Sequence, residues 1–316
     1  MAPVSRLSPN GLAPSVPAAS PEDGALRPRV VWIGSAEGLE LGMARAGVAA
    51  HADVTHADTP QQAAAIAAAA AGADSTPVFA VLAADRPGRF TMADALLLSR
   101  AWPLMPIVSV ASSLVDGRRR SGPALPGIEE VPWHDLPSRS AWWLAAIEAG
   151  LPTSLGLPAT SRREERLLES IGGMRGRSGE PPRLLWPGIE LSVAASHADD
   201  LDGLCDLLVL AGHAVETRQA GRPRLDEQAD VLVWDVRDLT ARDLEWLRLL
   251  AANRPGLFIL VLDSFPRGDT VAAAMRAGAA VVLGRPVCLE AVCGALLSRR
   301  TENAGQIGLG RAGRRR

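Results

Sequence analysis

The chain has 316 residues, 47% of them hydrophobic and 22% charged, and 33 basic against 35 acidic side chains leave a formal net charge of −2. That balance suits a soluble globular protein of two domains, each of about 120 to 150 residues, and gives no global attraction to nucleic acid or to an acidic membrane. Every basic residue is arginine, so chemistry that needs an ε-amine is excluded: a Walker-type phosphate loop, a Schiff base, a lysine-centred phosphate switch.

Residues 1–28 are rich in Pro, Ser, Ala and Gly without periodicity, and such a segment, with little apolar area to bury, is expected to stay disordered. From Arg29 the pattern changes. A short apolar run, Val30 to Ile33, is followed by a helical stretch to Ala49 and by strand-like alternation over Ala52 to Ala57. An alanine-rich helix over Pro60 to Ala71, a buried-type run Val78 to Ala83, a helix from Met92 to Trp102 and an apolar run from Ile107 to Val110 come next. Strands alternating with helices of this length indicate βαβ units and a parallel sheet. Residues 114–130 break the rhythm with glycines, prolines and an arginine run, which predicts a long loop. A strand near Glu130 to Trp133 and a helix carrying Trp142 and Trp143 close a first domain over 29–150.

Residues 151–187 read as a linker with one short helix, opened by a capping pair, Ser161 and Glu164. The alternation then resumes over 188–300. Strands are predicted at Leu191 to Ala194, Val215 to Arg218, Val231 to Trp234, 257–262 and 280–283, and helices at Asp199 to Ala211, 240–253, 268–277 and 287–299. Only the second helix of this set is reduced, to a short piece around Pro223 to Gln228. The fold class is therefore α/β, with two doubly wound five-stranded parallel sheets. Residues 301–316 form a basic tail expected to be disordered.

No apolar run of signal-peptide length opens the chain, and Ala63 to Ala71 is too short and alanine-rich to span a bilayer, so a cytoplasmic location is expected. Cys205, Cys288 and Cys293 form no CxxC pair and read as buried reduced thiols. His51 and His56 straddle a helix-to-strand junction, a poor arrangement for a metal.

Three stretches, Leu257-Phe-Ile-Leu-Val-Leu-Asp-Ser264, Ala272-Ala-Ala-Met-Arg-Ala-Gly-Ala279 and Val281-Val-Leu-Gly-Arg-Pro286, carry the spacing of strand, helix, Gly-Ala and X-Pro that marks a known family. In these residues the segment 188–300 resembles the CheY-like receiver domain of two-component response regulators. The resemblance implies a flavodoxin-like fold with its site at the carboxyl ends of the strands. It places Asp235 at the phosphate-accepting aspartate. It also implies an acidic pair that holds Mg²⁺ with the acceptor, a Ser or Thr after the fourth strand, and a lysine after the fifth.

This chain departs from that pattern at each helper. Ala195 and Ser196 stand at the acidic pair, Asp263 at the Ser/Thr position, Arg285 at the lysine and Val282 at the aromatic switch. Arg285 is suited to pair with Asp235 or Asp263 as a bidentate donor. Asp235 then has two readings. It is a structural carboxylate locked by Arg285, or it is a residual phosphoacceptor whose Mg²⁺ would be held by Asp199, Asp200 or Asp238. In the first domain the corresponding positions are Gly34 and Ser35, Ala83 or Ala84, and Trp133 or His134, which carry no receiver chemistry.

Other motifs weigh less. Gly308-Leu-Gly-Arg-Ala-Gly313 fits GxGxxG but follows a helix and lacks a βαβ unit. Gly34, Gly38 and Gly42 follow a strand without the dinucleotide spacing. Arg118 to Ser121 is a common chance match to a kinase site. Trp142 and Trp143 lie about 100° apart on a helix, so one of them is free to serve an interface or both are core.

The expectation is a non-enzymatic regulatory protein of tandem degenerate receiver domains acting by protein contact. Its partners would be other proteins, signalling kinases or other regulators among them, with a homodimer as a further arrangement and with no nucleic acid or membrane. No cofactor is expected, except Mg²⁺ if Asp235 is phosphorylated. The alternatives are a response regulator with residual phosphorylation at Asp235, and an α/β protein that binds a nucleotide or other small molecule at the strand ends of the first domain.

Overall fold

A computed structural model of the chain describes residues 27–69, 76–116, 125, 127–157, 161, 164–166, 168 and 188–299. The first half runs β1 (Arg29–Gly34), α1 (Leu39–His51), β2 (Asp53–Ala57), α2 (Pro60–Ala69), β3 (Phe79–Ala84), α3 (Met92–Ala101), β4 (Ile107–Ala111), a one-turn α4 (Ser113–Asp116), β5 (Glu129–Pro132) and α5 (Leu136–Glu148). The second half runs β6 (Glu190–Ala195), α6 (Ala198–Leu210), β7 (Ala214–Ala220), β8 (Val231–Arg237), α7 (Ala241–Asn253), β9 (Phe258–Asp263), α8 (Gly268–Arg276), β10 (Val281–Gly284) and a helix α9 over 289–299.

Each half builds one five-stranded sheet, in the orders β2-β1-β3-β4-β5 and β7-β6-β8-β9-β10, and every pairing is parallel. Both orders are the 2-1-3-4-5 of flavodoxin-like folds. Local chemistry explains the elements. The central strands β3 and β8 are buried almost throughout, as strands covered by helices on both faces must be. The edge strand β7 alternates exposed and half-buried residues instead. Thr91 before α3 and Thr240 before α7 each form a capping box, with Asp94 and Asp243 respectively, and so satisfy backbone donors at the helix starts.

Two separate cores were the expectation from length, and the packing is different. One apolar cluster covers a face of the first sheet, through Val30, Trp32 and Phe79, and continues through α1 and α5 to a face of the second, through Leu232, Trp234 and Ile259. Val31, Ile33 and Leu82 pack on the outer face of the first sheet, and Leu191, Val193 and Leu262 on that of the second. Glycine permits the closest approach in the seam. A Cβ at Gly294 on α9 would overlap the Ser138 carbonyl oxygen of α5, and one at Gly284 would enter the His134 ring. Trp142 and Trp143 are both buried, and the Trp143 indole reaches the second half.

The reduced helix expected around Pro223 to Gln228 is absent: residues 221–230 run from β7 to β8 without helix, held by local turns. Within the expected linker, Ser154–Gly156 form a 3₁₀ turn whose Ser154 and Leu155 are buried, because Ser154 joins a polar cluster at the seam. Residues 164–166 and 168 are helical. In the expected loop over 114–130, α4 occupies the start, and 117–124 lie outside the described residues, as do the arginine run from 118 to 120, the tails at 1–26 and 301–316 and the GxGxxG match. Among the described residues no helix is long and apolar enough to cross a membrane.

Candidate functional site

The carboxyl ends of β6, β8 and β10 converge in the second half. Asp235 lies in register with Ala195 on β6, and the residue is 2% exposed. Arg285, the first residue after β10, directs its guanidinium onto that carboxylate at 3.2–3.3 Å and onto Asp200 in the first turn of α6 at 2.6 Å. Sequence reasoning offered Asp235 or Asp263 as the partner of Arg285; the side-chain pairing is with Asp235 and Asp200. Asp263 is engaged elsewhere, its carboxylate accepting the Leu239 amide at 3.4 Å, while its own carbonyl accepts the Arg285 amide at 3.0 Å. The chain after β8 thus supplies a partner for Asp263, and the Arg285 side chain turns to Asp235 and Asp200.

Burial pushes the Asp235 carboxyl above the ordinary aspartate range, against the pull of the Arg285 guanidinium and the Arg237 amide. Asp263 is pushed up by the same cause, with its bonds to backbone amides opposing. Asp200, near the surface, is held below the usual range by its hydrogen bond from Arg285. Of the three carboxylates considered as helpers, only Asp200 adjoins Asp235 through Arg285. Asp199 lines the same cavity, and the charge of Asp238 acts on Asp263. Ala195 is fully buried, and the Ser196 amide and hydroxyl both bond the Asp235 carbonyl oxygen at 3.1 and 3.3 Å. Neither position supplies an anionic oxygen. Val282 is buried on β10. Among the described residues no group of three or more His, Cys, Asp or Glu is placed to hold a metal ion.

Asp235 and Arg285 form part of a cavity of about 700 Å³ that runs to the seam between the halves. There Glu290 of α9 accepts hydrogen bonds from Arg139 (3.2 Å), the Trp143 indole (2.9 Å), the Ser154 amide (2.9 Å) and the Ser154 hydroxyl. Arg139 also bonds Glu129 at 2.8 Å, and Arg166 bonds the other oxygen of Glu129 at 2.7 Å. Burial opposes charge on Glu290, yet Arg139 and the Ser154 donors hold its carboxyl below the ordinary glutamate range. Sequence reasoning missed this cluster. Its signal was a lone arginine and a lone glutamate inside otherwise apolar helices.

In the first half the strand ends carry Gly34 beside Ala83, with Ser35 bonded to the Ala83 carbonyl, and no carboxylate takes the acceptor position. His134, considered there for the lysine position, bonds Asp135 at 2.9 Å and packs against Gly284 of the second half. Cys205 and Cys293 are buried, Cys288 is half-buried, and all three are free thiols.

Two parallel sheets of order 2-1-3-4-5, joined in one chain, define a tandem flavodoxin-like α/β protein. No protein-family model matches the chain, and no curated protein does. Solved structures similar to it include a putative pilus assembly-related protein from Burkholderia pseudomallei, at 28% identity over 35% of this chain and 88% of that one, with a TM-score of 0.33. A putative pilus assembly protein from Burkholderia thailandensis shares 26% over 36% and 98%, with a TM-score of 0.33. A CheY-like protein from Pseudomonas aeruginosa shares 24% over 35% and 99%, with a TM-score of 0.30.

Proposed function

We propose that the chain is a non-enzymatic regulatory protein that acts through protein contacts, with two receiver-like units unable to carry out standard phosphoryl transfer. One observation carries the reading: the Arg285 guanidinium sits between Asp235 and Asp200, where a divalent ion and a phosphoryl group would have to enter. A fixed cation in that place balances the carboxylates permanently, and Ala195 and Ser196 offer a metal no anionic ligand. A fold relieved of its chemistry remains available as an interaction module. In this reading the protein works in the cytoplasm on other regulators.

Tryptophan fluorescence tests it, because Trp234 adjoins Asp235 in the chain. Mg²⁺ and then beryllofluoride are added to wild type and to Asp235→Asn. The expected result is no saturable response in either protein. A response confined to wild type overturns the reading in favour of residual phosphorylation at Asp235. That alternative draws on the cavity that reaches Asp235.

A further inference from the structure

Where α2 crosses from β2 to β3 in the first half, residues 221–230 cross from β7 to β8 in the second without a helix. Beside this bare crossing a hollow of about 550 Å³ lies over the carboxyl ends of β6, β7 and β8. In a sheet of this order the direction of winding reverses between the first and third strands, here the parallel neighbours β6 and β8, and ligands of open α/β sheets bind at that switch point. None of the hollow's lining residues lines the cavity that reaches Arg285.

Its lining is rich in arginine. Arg222 commits Nε and one terminal nitrogen to Asp243, at 3.1 and 2.9 Å. Arg237 donates to Nε2 of His197 at 2.9 Å, a bond that requires this nitrogen unprotonated and so makes the imidazole a positioning acceptor. The other donors of Arg237 and Arg222, and all of Arg242, have no protein acceptor among the described residues. Facing them are two carboxylates, Asp238 and Asp243, and Asp243 is already engaged by Arg222 and Thr240. Arg237 is also the one non-glycine residue with positive φ among the described residues, at 64°, set by the irregularity between Asp235 and Arg237 in β8. Such a conformation persists only where the surroundings fix it, and outliers of this kind gather at ligand sites.

We infer that this hollow is an anion site that takes the phosphate or diphosphate group of a small molecule. The guanidinium fork matches phosphate oxygens in bidentate geometry, and three of them around one hollow supply donors that a monovalent anion would leave unused. The hollow borders Asp235, whose carboxylate accepts the Arg237 amide, but it involves no phosphoryl transfer and Arg237→Gly keeps that amide, so its failure would leave the proposed function untouched.

Pyrophosphate is the probe. Thermal unfolding of the full chain is followed in pyrophosphate, in sulfate and in chloride at one ionic strength, for wild type and for the double variant Arg237→Gly, Arg242→Gln. Glycine suits the positive φ of Arg237, and both side chains are exposed, so the variant retains the fold. A ligand bound only by the native state raises the melting temperature saturably. The expected result is a rise of several degrees for wild type in millimolar pyrophosphate, absent in chloride, smaller in sulfate and lost in the double variant. No saturable rise, an equal rise in sulfate, or an equal rise in the double variant would each overturn the proposal.

Discussion

Arg139 on α5 and Glu290 on α9 meet at 3.2 Å in the seam between the two sheets, the arginine 6% and the glutamate 2% exposed. The arginine also lies over the Trp143 ring, 4.6 Å from its centroid. Both charges have left water, so their attraction is offset by desolvation and the intact pair is expected to add little net stability.

Removing one partner is therefore expected to cost far more than removing both. Glu290→Ala leaves Arg139, the Trp143 indole and the Ser154 donors without their shared acceptor, and should destabilise by about 3–5 kcal/mol. The double variant Arg139→Met, Glu290→Met should recover much of that loss. Urea unfolding of the three proteins gives the comparison; equal losses in the single and double variants would contradict it.

Arg285→Ala should strip Asp235 of its counter-charge and raise its pKa further above the aspartate range. Sign follows from linkage: a carboxylate whose folded pKa is raised costs stability above that pKa and none once protonated in both states. The variant should thus lose about 1–3 kcal/mol at neutral pH, and the gap from wild type should close as the solution is acidified below the Asp235 pKa. A pH series of denaturation midpoints checks this.

His213 is 4% exposed, and burial lowers its pKa to about 4, while its Nδ1 accepts the Ile189 amide at 3.3 Å. A histidine kept neutral in the fold contributes stability above its unfolded pKa of about 6.5 that is lost as pH falls toward 4, by about 3 kcal/mol. His213→Gln, uncharged throughout, should flatten the stability profile between those limits. An unchanged profile would show that other groups set it.

Two glycines should respond in opposite ways to the same methyl group. Gly294→Ala thrusts a Cβ into the Ser138 carbonyl and should separate α5 from α9, whereas Gly203→Ala on α6 meets nothing within 4 Å and should stabilise by about 0.5–1 kcal/mol. Melting temperatures of the two variants moving in the same direction would argue against the packing described.

Strand and helix order was legible in the sequence because parallel strands and their covering helices leave local periodic patterns, as in Leu257 to Asp263 or the capped helix after Thr240. Pairing of Asp235 with Arg285 was legible through the spacing that carried the resemblance. Asp200 was one of three candidate carboxylates, and only the first turn of α6 selects it. The seam was illegible for a physical reason: Arg139 and Glu290 are 151 positions apart, and a contact of that range leaves no period to read. Their burial in apolar helices was the sole trace. The bare crossing from β7 to β8 was half visible, since Pro223 and Gly221 already weakened any helix there.

The shared apolar layer has a consequence for how the chain can be divided. A polypeptide severed between Leu157 and Gly188 would yield two pieces, each with an intact sheet order and each with one broad greasy flank uncovered. Neither piece should behave as a portable unit; mixed together, they should reassemble without a covalent tether, as split reporters do.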